Sequence, residues 1–547
     1  MTEEIEDTRP TWREWAALTV LSLGLGVIVL DGTIVGVALP SIISDLGMNL
    51  SDAQWVSSLY AVVLAALLLS TGSIADRLGR RKLFATGLVV FVLASILAAL
   101  ATSAGHLISS RALQALGAAM IMPSTLSTVN VLFRGKARAA AFGVWGAVIS
   151  GAAAVGPLAG GALTQWASWR WIFLVNLPIG AALLIATFFV IPETRSEGLP
   201  DGADVVGVFL NGFGFGALVF AIIEGPATGW WKPTADMTLF GFTWPTSAPV
   251  SVVPVALVFA VTLLICFLFW ENHRASLGRS TVLDLTLFRL PTFAWGNVTA
   301  AMVAIGEFAI LFVLPLFLIN ALGLEVMATG LILAAMALGA FFSGASARHL
   351  AARLGAPGVV VLGLMLEVAG VVFLAAILSP TGAGWMTAGP LVLYGLGLGL
   401  ASAQLTGTVL RDVPVGQSGQ ASATQSTVRQ VGSAMGTAFA GAVLAMTLKI
   451  SVPNALETVG ISGEEARQLA EETASSAGTN IANMRAEASG LGIESTAAEV
   501  SQALTAGFAG ATRWALLAGS LFLLLGLVGA YRLRAATRNE NTAETRG

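Results

Sequence analysis

A single cysteine, Cys266, occurs in 547 residues. One thiol closes no intramolecular disulfide and builds no cysteine-ligated metal site, so a disulfide scaffold and a zinc module are both excluded. Lying in an apolar run, Cys266 is expected to act as packing filler. Charge is equally scarce: 11% of residues are Asp, Glu, Lys or Arg, against about 25% in soluble domains. Apolar residues make up 56%, and mean hydropathy is +0.82. A soluble fold cannot hide that much apolar surface, so the composition calls for a bilayer. The formal charge of −3 is uninformative as a total, because in a membrane protein the distribution of Lys and Arg carries the meaning, and no nucleic-acid partner is expected. The three histidines, His106, His273 and His349, stand in separate regions, and no His-Glu-x-x-His, nucleophile elbow or Walker loop occurs. An enzyme, a metal site and ATP-driven export by this chain are therefore not expected. The opening residues Thr2 to Glu14 are polar, without a cleavable apolar core, so the first helix is expected to serve as its own targeting signal.

What the chain has in abundance is long apolar runs. Runs sufficient to cross a hydrocarbon core of about 30 Å lie near 15–39, 54–75, 84–103, 107–132, 139–163, 171–191, 204–224, 249–270, 293–321, 328–348, 357–378, 385–408, 425–448 and 511–531. These predict fourteen transmembrane helices in an all-α polytopic membrane protein. An even count puts both termini on one side. With a cytoplasmic N-terminus, 20 of the 28 Lys and Arg fall inside and six outside, while Arg111 and Arg429 lie within spans. Both termini are thus expected in the cytoplasm of a cell-membrane protein. Trp12, Trp15, Trp55, Trp166, Trp169, Trp171, Trp230, Trp231 and Trp244 sit at span ends, as interfacial anchors do. Trp145 sits instead in the body of the fifth helix, as packing or as part of a ligand route. Two loops are long. The first, 225–248, is aromatic and proline-rich and is expected on the outer interface. The second, at about 449–510, is rich in alanine and glutamate and is expected to form one or two short amphipathic helices, with Ser462 a candidate N-cap.

One carboxylate organises the rest. Asp31 interrupts the run from Trp15 to Leu39, and since apolar residues continue for eight positions after it, a mid-span acid marking an ion or proton pathway is favoured over a short extracellular turn. Arg111 falls at a comparable depth in the fourth helix, close enough for the two to meet. Glu307 and Glu367 are the other mid-span acids, whereas Glu224 falls at the outer end of the seventh helix, where interfacial exposure explains it. An internal repeat is faintly visible. Asp31 precedes Pro40 by nine residues and Glu307 precedes Pro315 by eight, and Gly72 to Arg81 is echoed by Gly344 to Gly355. Two related six-helix halves are expected, over 1–200 and 276–547, with two further helices between them in 201–275.

The loop G-S-I-A-D-R-L-G-R-R-K-L, Gly72 to Leu83, resembles the signature loop of the major facilitator superfamily at every defining position. Gly151 to Gly161, G-A-A-A-V-G-P-L-A-G-G, is similar to the fifth-helix motif of its antiporters. Trp169 to Gly180 and the opening L-D-G-T-I-V-G-V-A-L-P resemble the fourteen-helix drug:proton antiporters. The fourth-helix motif departs from the pattern: Arg111-x-x-Gln114 is followed by Ala115 where glycine is expected, with Gly117 after it.

The resemblance implies a major facilitator fold of two six-helix bundles and two inserted helices. It implies export of amphipathic, cationic drugs in exchange for protons by alternating access, with no cofactor and the chain acting as a monomer. An endogenous lipid or a self-made antibiotic is the alternative cargo. On this reading Asp31, Glu307, Glu367 and Arg111 couple protons, and Asp31, Glu307 and Trp145 meet substrate. Gly72, Asp76, Arg77, Gly79, Arg80 and Arg81, with Gly156 and Pro157, act in gating.

Overall fold

The computed structural model describes residues 10–133, 135–195, 204–239, 242–414, 417–491 and 496–544. In hydrocarbon every backbone N–H and C=O must be satisfied internally, so the apolar runs become helices. In chain order these are α1 (Trp12–Leu46), α2 (Leu50–Leu78), α3 (Arg80–Ala99), α4 (Ala104–Leu132), α5 (Gly135–Trp166), α6 (Trp171–Leu174), α7 (Asn176–Val190), α8 (Val205–Thr228) and α9 (Val252–Ser276). There follow α10 (Pro291–Leu316), α11 (Val326–Leu354), α12 (Ala356–Ile377), α13 (Ala388–Val409), α14 (Ser418–Leu456), α15 (Gly463–Ser475), α16 (Thr479–Leu491) and α17 (Thr496–Glu544). The sixth span is the pair α6–α7. Among the described residues, thirteen spans are long and apolar enough to cross a membrane; α5, the fifth run, is itself 32 residues long.

Sequence signals set the helix ends. Thr11 and Glu14 form a capping box at the start of α1, and Asn49 and Asp52 form another at the start of α2. Gly47, at φ +59°, ends α1 in the left-handed conformation that glycine adopts without penalty. Pro40 and Pro315 occupy matching places inside α1 and α10.

The same packing scheme occurs twice. In the first half α1 lies on α5, α2 on α4 and α3 on α4; in the second, α10 lies on α14, α11 on α13 and α12 on α13. The halves meet along two seams, α2 against α14 and α5 against α11. Helices α8 and α9 pack on each other, and α8 leans on α2 and α14.

Two expectations change, for Cys266 and for Glu224, and one loop gains detail. Cys266 is exposed on α9, whose apolar stretch is only 17% buried, so it faces the lipid side and fills no gap. An apolar run reads the same whether its neighbours are lipid tails or side chains. The 225–248 loop contains a short antiparallel hairpin, β1 (Met237–Leu239) and β2 (Phe242–Trp244), with Met237 opposite Trp244. Glu224 is half-buried where α8 meets α2 and accepts a hydrogen bond from Trp55 Nε1 at 2.9 Å. The acidic loop is helical as expected, in α15 and α16; Ser462 holds the N-cap position but makes no side-chain cap bond.

Candidate functional site

Asp31 is fully buried in α1, and it is saturated with donors. Arg111, itself 2% exposed in α4, places Nη1 on Asp31 Oδ2 in an ion pair. Gln114 Nε2 and Asn176 Nδ2 each donate to Asp31 Oδ1 at 3.1 Å. Both amides also donate to Ser95 Oγ, at 2.8 and 3.2 Å. The guanidinium donates again to Gln114 Oε1 at 2.8 Å and lies 4.1 Å from the centre of the Tyr60 ring. Five helices thus converge on one carboxylate: α1 supplies the acid, α4 the cation and one amide, α7 the second amide, α3 the serine and α2 the aromatic face. Water is replaced by fixed donors, the condition under which a buried ion pair holds.

The second half gathers a different centre. Glu307 of α10 and Arg429 of α14 form an ion pair at 3.7 Å, with side chains 17% and 39% exposed. Glu367 of α12 is fully buried, within electrostatic reach of both. Tyr394 of α13 is buried within electrostatic reach of the same three groups. The four expected polar residues therefore fall into two centres: Asp31 with Arg111 in one half, Glu307 with Glu367 in the other.

Around the signature loop, Gly79 adopts φ +117°, and a Cβ there would meet Glu193 Cδ at 2.7 Å. Only glycine fits this reversal. The Arg81 backbone N–H donates to Glu193 Oε1 at 3.2 Å, and its guanidinium lies 3.9 Å from Oε2. Arg80 is buried, its N–H donating to the Thr194 carbonyl at 3.1 Å, and Arg77 is half-buried. The side chain of Asp76 lies outside the described residues. Gly72 comes within ordinary contact distance of Pro123 on α4, 3.5 Å from where a Cβ would sit.

The fifth-helix motif is a packing surface on two sides. A Cβ on Gly156 would meet Thr33 Cβ at 2.8 Å, and one on Gly160 would meet the Ile34 carbonyl at 2.8 Å, so α5 touches α1 two and three residues beyond Asp31. Across the seam, a Cβ on Gly330 of α11 would meet the Pro157 carbonyl at 2.5 Å. Trp145 is half-buried and packs against the core of the first bundle. Ala115, the departure in the fourth-helix motif, is buried without disturbing the site. The close approach to α3 is made by Gly117, where a Cβ would meet Phe91 N at 2.6 Å.

Sequence reasoning passed over several members. Gln114 and Asn176 stood inside the quoted motifs without a role, although an isolated amide in an apolar run signals a buried partner. Glu193 lies 112 residues from Arg81, and spacing alone gives no reason to join them. Tyr394 carries no local signal.

The sequence matches the Major Facilitator Superfamily over residues 21–437. It is 33% identical over 444 residues to the multidrug resistance protein Stp of Mycobacterium tuberculosis, covering 80% of this chain and 78% of the relative. It is 31% identical to the multidrug efflux pump LfrA of Mycolicibacterium smegmatis, over 80% of this chain and 82% of that protein. It is 30% identical to the tetracenomycin C resistance and export protein of Streptomyces glaucescens, over 79% and 76%. Among solved structures, a bacterial homologue of the human lysosomal transporter Spinster matches at TM-score 0.59 and 17% identity, covering 96% of this chain and 99% of the other. With this fold, these motifs and these relatives, the chain belongs to the major facilitator superfamily, as a multi-pass membrane transporter related to drug and antibiotic efflux pumps.

Proposed function

We propose that this transporter exports amphipathic, cationic small molecules in exchange for protons, by alternating access, from a cell membrane in which both termini are cytoplasmic. The observation that carries the coupling is the Asp31 centre. Its carboxylate accepts from Arg111, Gln114 and Asn176 while fully buried. Protonating Asp31 removes its charge and weakens every one of those bonds at once. That loosens α1 from α4 and α7. Because Thr33 and Ile34 press on Gly156 and Gly160, a shift of α1 is passed to α5 and so to the α11 seam. A proton thus acts on the element that joins the halves, which is the differential interaction a conformational switch requires.

On this reading Asp31 carries the coupling proton with Arg111 as its counter-ion, Glu307 and Glu367 form a second acid pair, and Trp145 lines the substrate route. The loop from Gly72 through Asp76, Arg77 and Gly79 to Arg80 and Arg81 gates the termini face, with Gly156 and Pro157 the pivot of α5. The working units are 1–200, 201–275 and 276–547, in a monomer that needs no cofactor. A self-made antibiotic is the second reading of the cargo, favoured by the likeness to the tetracenomycin C exporter.

Ethidium efflux from proteoliposomes with an imposed pH gradient tests the coupling. Asp31→Asn is expected to abolish gradient-driven efflux, and unchanged transport would sink the assignment.

A further inference from the structure

The two acid centres differ in how their oxygens are satisfied. Asp31 is closed, with donors on both oxygens. In the second centre Glu307 Oε2, both carboxylate oxygens of Glu367 and the Tyr394 hydroxyl are buried without a hydrogen-bond partner among the described residues. Arg429 approaches Glu307 only as a loose ion pair at 3.7 Å, beyond hydrogen-bond length. Buried acceptors left unmade are costly, and so many around one guanidinium mark a place short of donors. The centre is closed at Glu367 and Tyr394, which are 0% and 1% exposed, and opens at Glu307 and Arg429. The helices carrying that opening, α10 and α14, border the first half through α1 and α2.

We infer that Glu307, Glu367 and Tyr394 form the seat for the substrate's cationic group, and that Arg429 is a built-in counter-ion which the substrate displaces. The inference rests on the export reading and divides its labour: Asp31 takes the proton, and the second half takes the cation. It also narrows the substrate class. A seat whose four unpartnered oxygens include three of carboxylates is completed by a cation that carries N–H groups, an amine, amidine or guanidine, which can bond those oxygens as well as neutralise them. A quaternary or phosphonium cation brings charge and no donors.

Equilibrium binding to the purified full-length protein in nanodiscs tests this, with the aromatic diamidine DAPI and with tetraphenylphosphonium as the donorless cation. DAPI is expected to bind at least about tenfold tighter. Glu367→Gln and the isosteric Tyr394→Phe are expected to weaken DAPI by about tenfold and about threefold, and to leave tetraphenylphosphonium within about twofold. Arg429→Gln removes the competitor and should keep or tighten DAPI binding. Each variant is checked by its size-exclusion profile. Equal binding of the two cations by the wild type, or DAPI binding unchanged in both Glu367→Gln and Tyr394→Phe, overturns the inference and leaves the export reading standing. A wild type that binds neither cation overturns both.

Discussion

Arg111 is held by more than Asp31. Its guanidinium also donates to Gln114 Oε1 and lies over the Tyr60 ring, so the cation is fixed in place before any proton arrives. A buried pair of this kind is dangerous to break by halves. Removing one partner strands the other charge in a low dielectric, whereas removing both leaves a neutral, packable site. Arg111→Met alone is therefore expected to cost about 3–5 kcal/mol of stability, visible as a lowered unfolding midpoint in nanodiscs. The double variant Asp31→Asn/Arg111→Met should recover most of that loss, yet transport no protons. A double variant as unstable as Arg111→Met would show that the guanidinium is held by its other partners and that the pair with Asp31 matters little. Of this cluster, the acid and the base were legible because charge in an apolar run stands out. Gln114, Asn176 and Ser95 were not, since a neutral polar side chain in a membrane helix is common and gives no bearing on its partner.

At the scale of elements, α5 is the part that touches both the proton site and the seam. Its glycines are placed by contact. Gly156 faces Thr33, Gly160 faces the Ile34 carbonyl, and Gly161 lies 3.1 Å, measured from where its Cβ would be, from the Val326 carbonyl of α11. Gly32, beside Asp31 in the opening motif, meets nothing within 4 Å. The two glycines nearest the acid should therefore respond in opposite ways. Gly156→Ala must push α1 away and is expected to cut transport severalfold. Gly32→Ala should keep wild-type efflux in the same assay and raise the unfolding midpoint slightly, by about 0.5–1 kcal/mol of stability. Matching losses in the two variants would mean that the motif acts through conformational freedom and not through close packing. The inserted pair is a separate element with its own lock: Asp204 caps α8 at the Gly207 N–H, accepts from Trp270 Nε1 at 2.8 Å and pairs with Arg274 at 3.3 Å. That cluster binds α8 to α9 at one end, which explains why two helices with so little buried surface stay together.

For the whole molecule, the number of helices, the repeat and the signature loop could all be read from local pattern, because apolar length, an isolated charge and a glycine-arginine string are one-dimensional signals. What stayed hidden is relational: which helix faces lipid, as with Cys266, and which surfaces of the two halves meet. Among the described residues, cross-half hydrogen bonds lie at the face opposite the termini. Gln54 Nε2 donates to the Ala438 carbonyl at 2.8 Å, and Ser58 Oγ to that of Ala434 at 3.3 Å. On the other seam, Gln165 donates to Glu325 Oε2 and accepts from the Met327 N–H, each at 2.8 Å. If transport requires the halves to part along these seams, tying one seam shut should stop the cycle with the fold intact. Gly441 offers the position, since a Cβ there would lie 2.8 Å from Gln54 Cγ, within the reach of a disulfide. In a Cys266→Ala background, which removes the one native thiol, Gln54→Cys/Gly441→Cys is expected to lose efflux on oxidation and regain it with dithiothreitol. Binding of DAPI should persist in the oxidised protein, because the cation seat lies within the second half. Efflux that continues at the reduced rate's value after complete cross-linking would show that these seams do not open during transport, and that the route to the far side runs elsewhere.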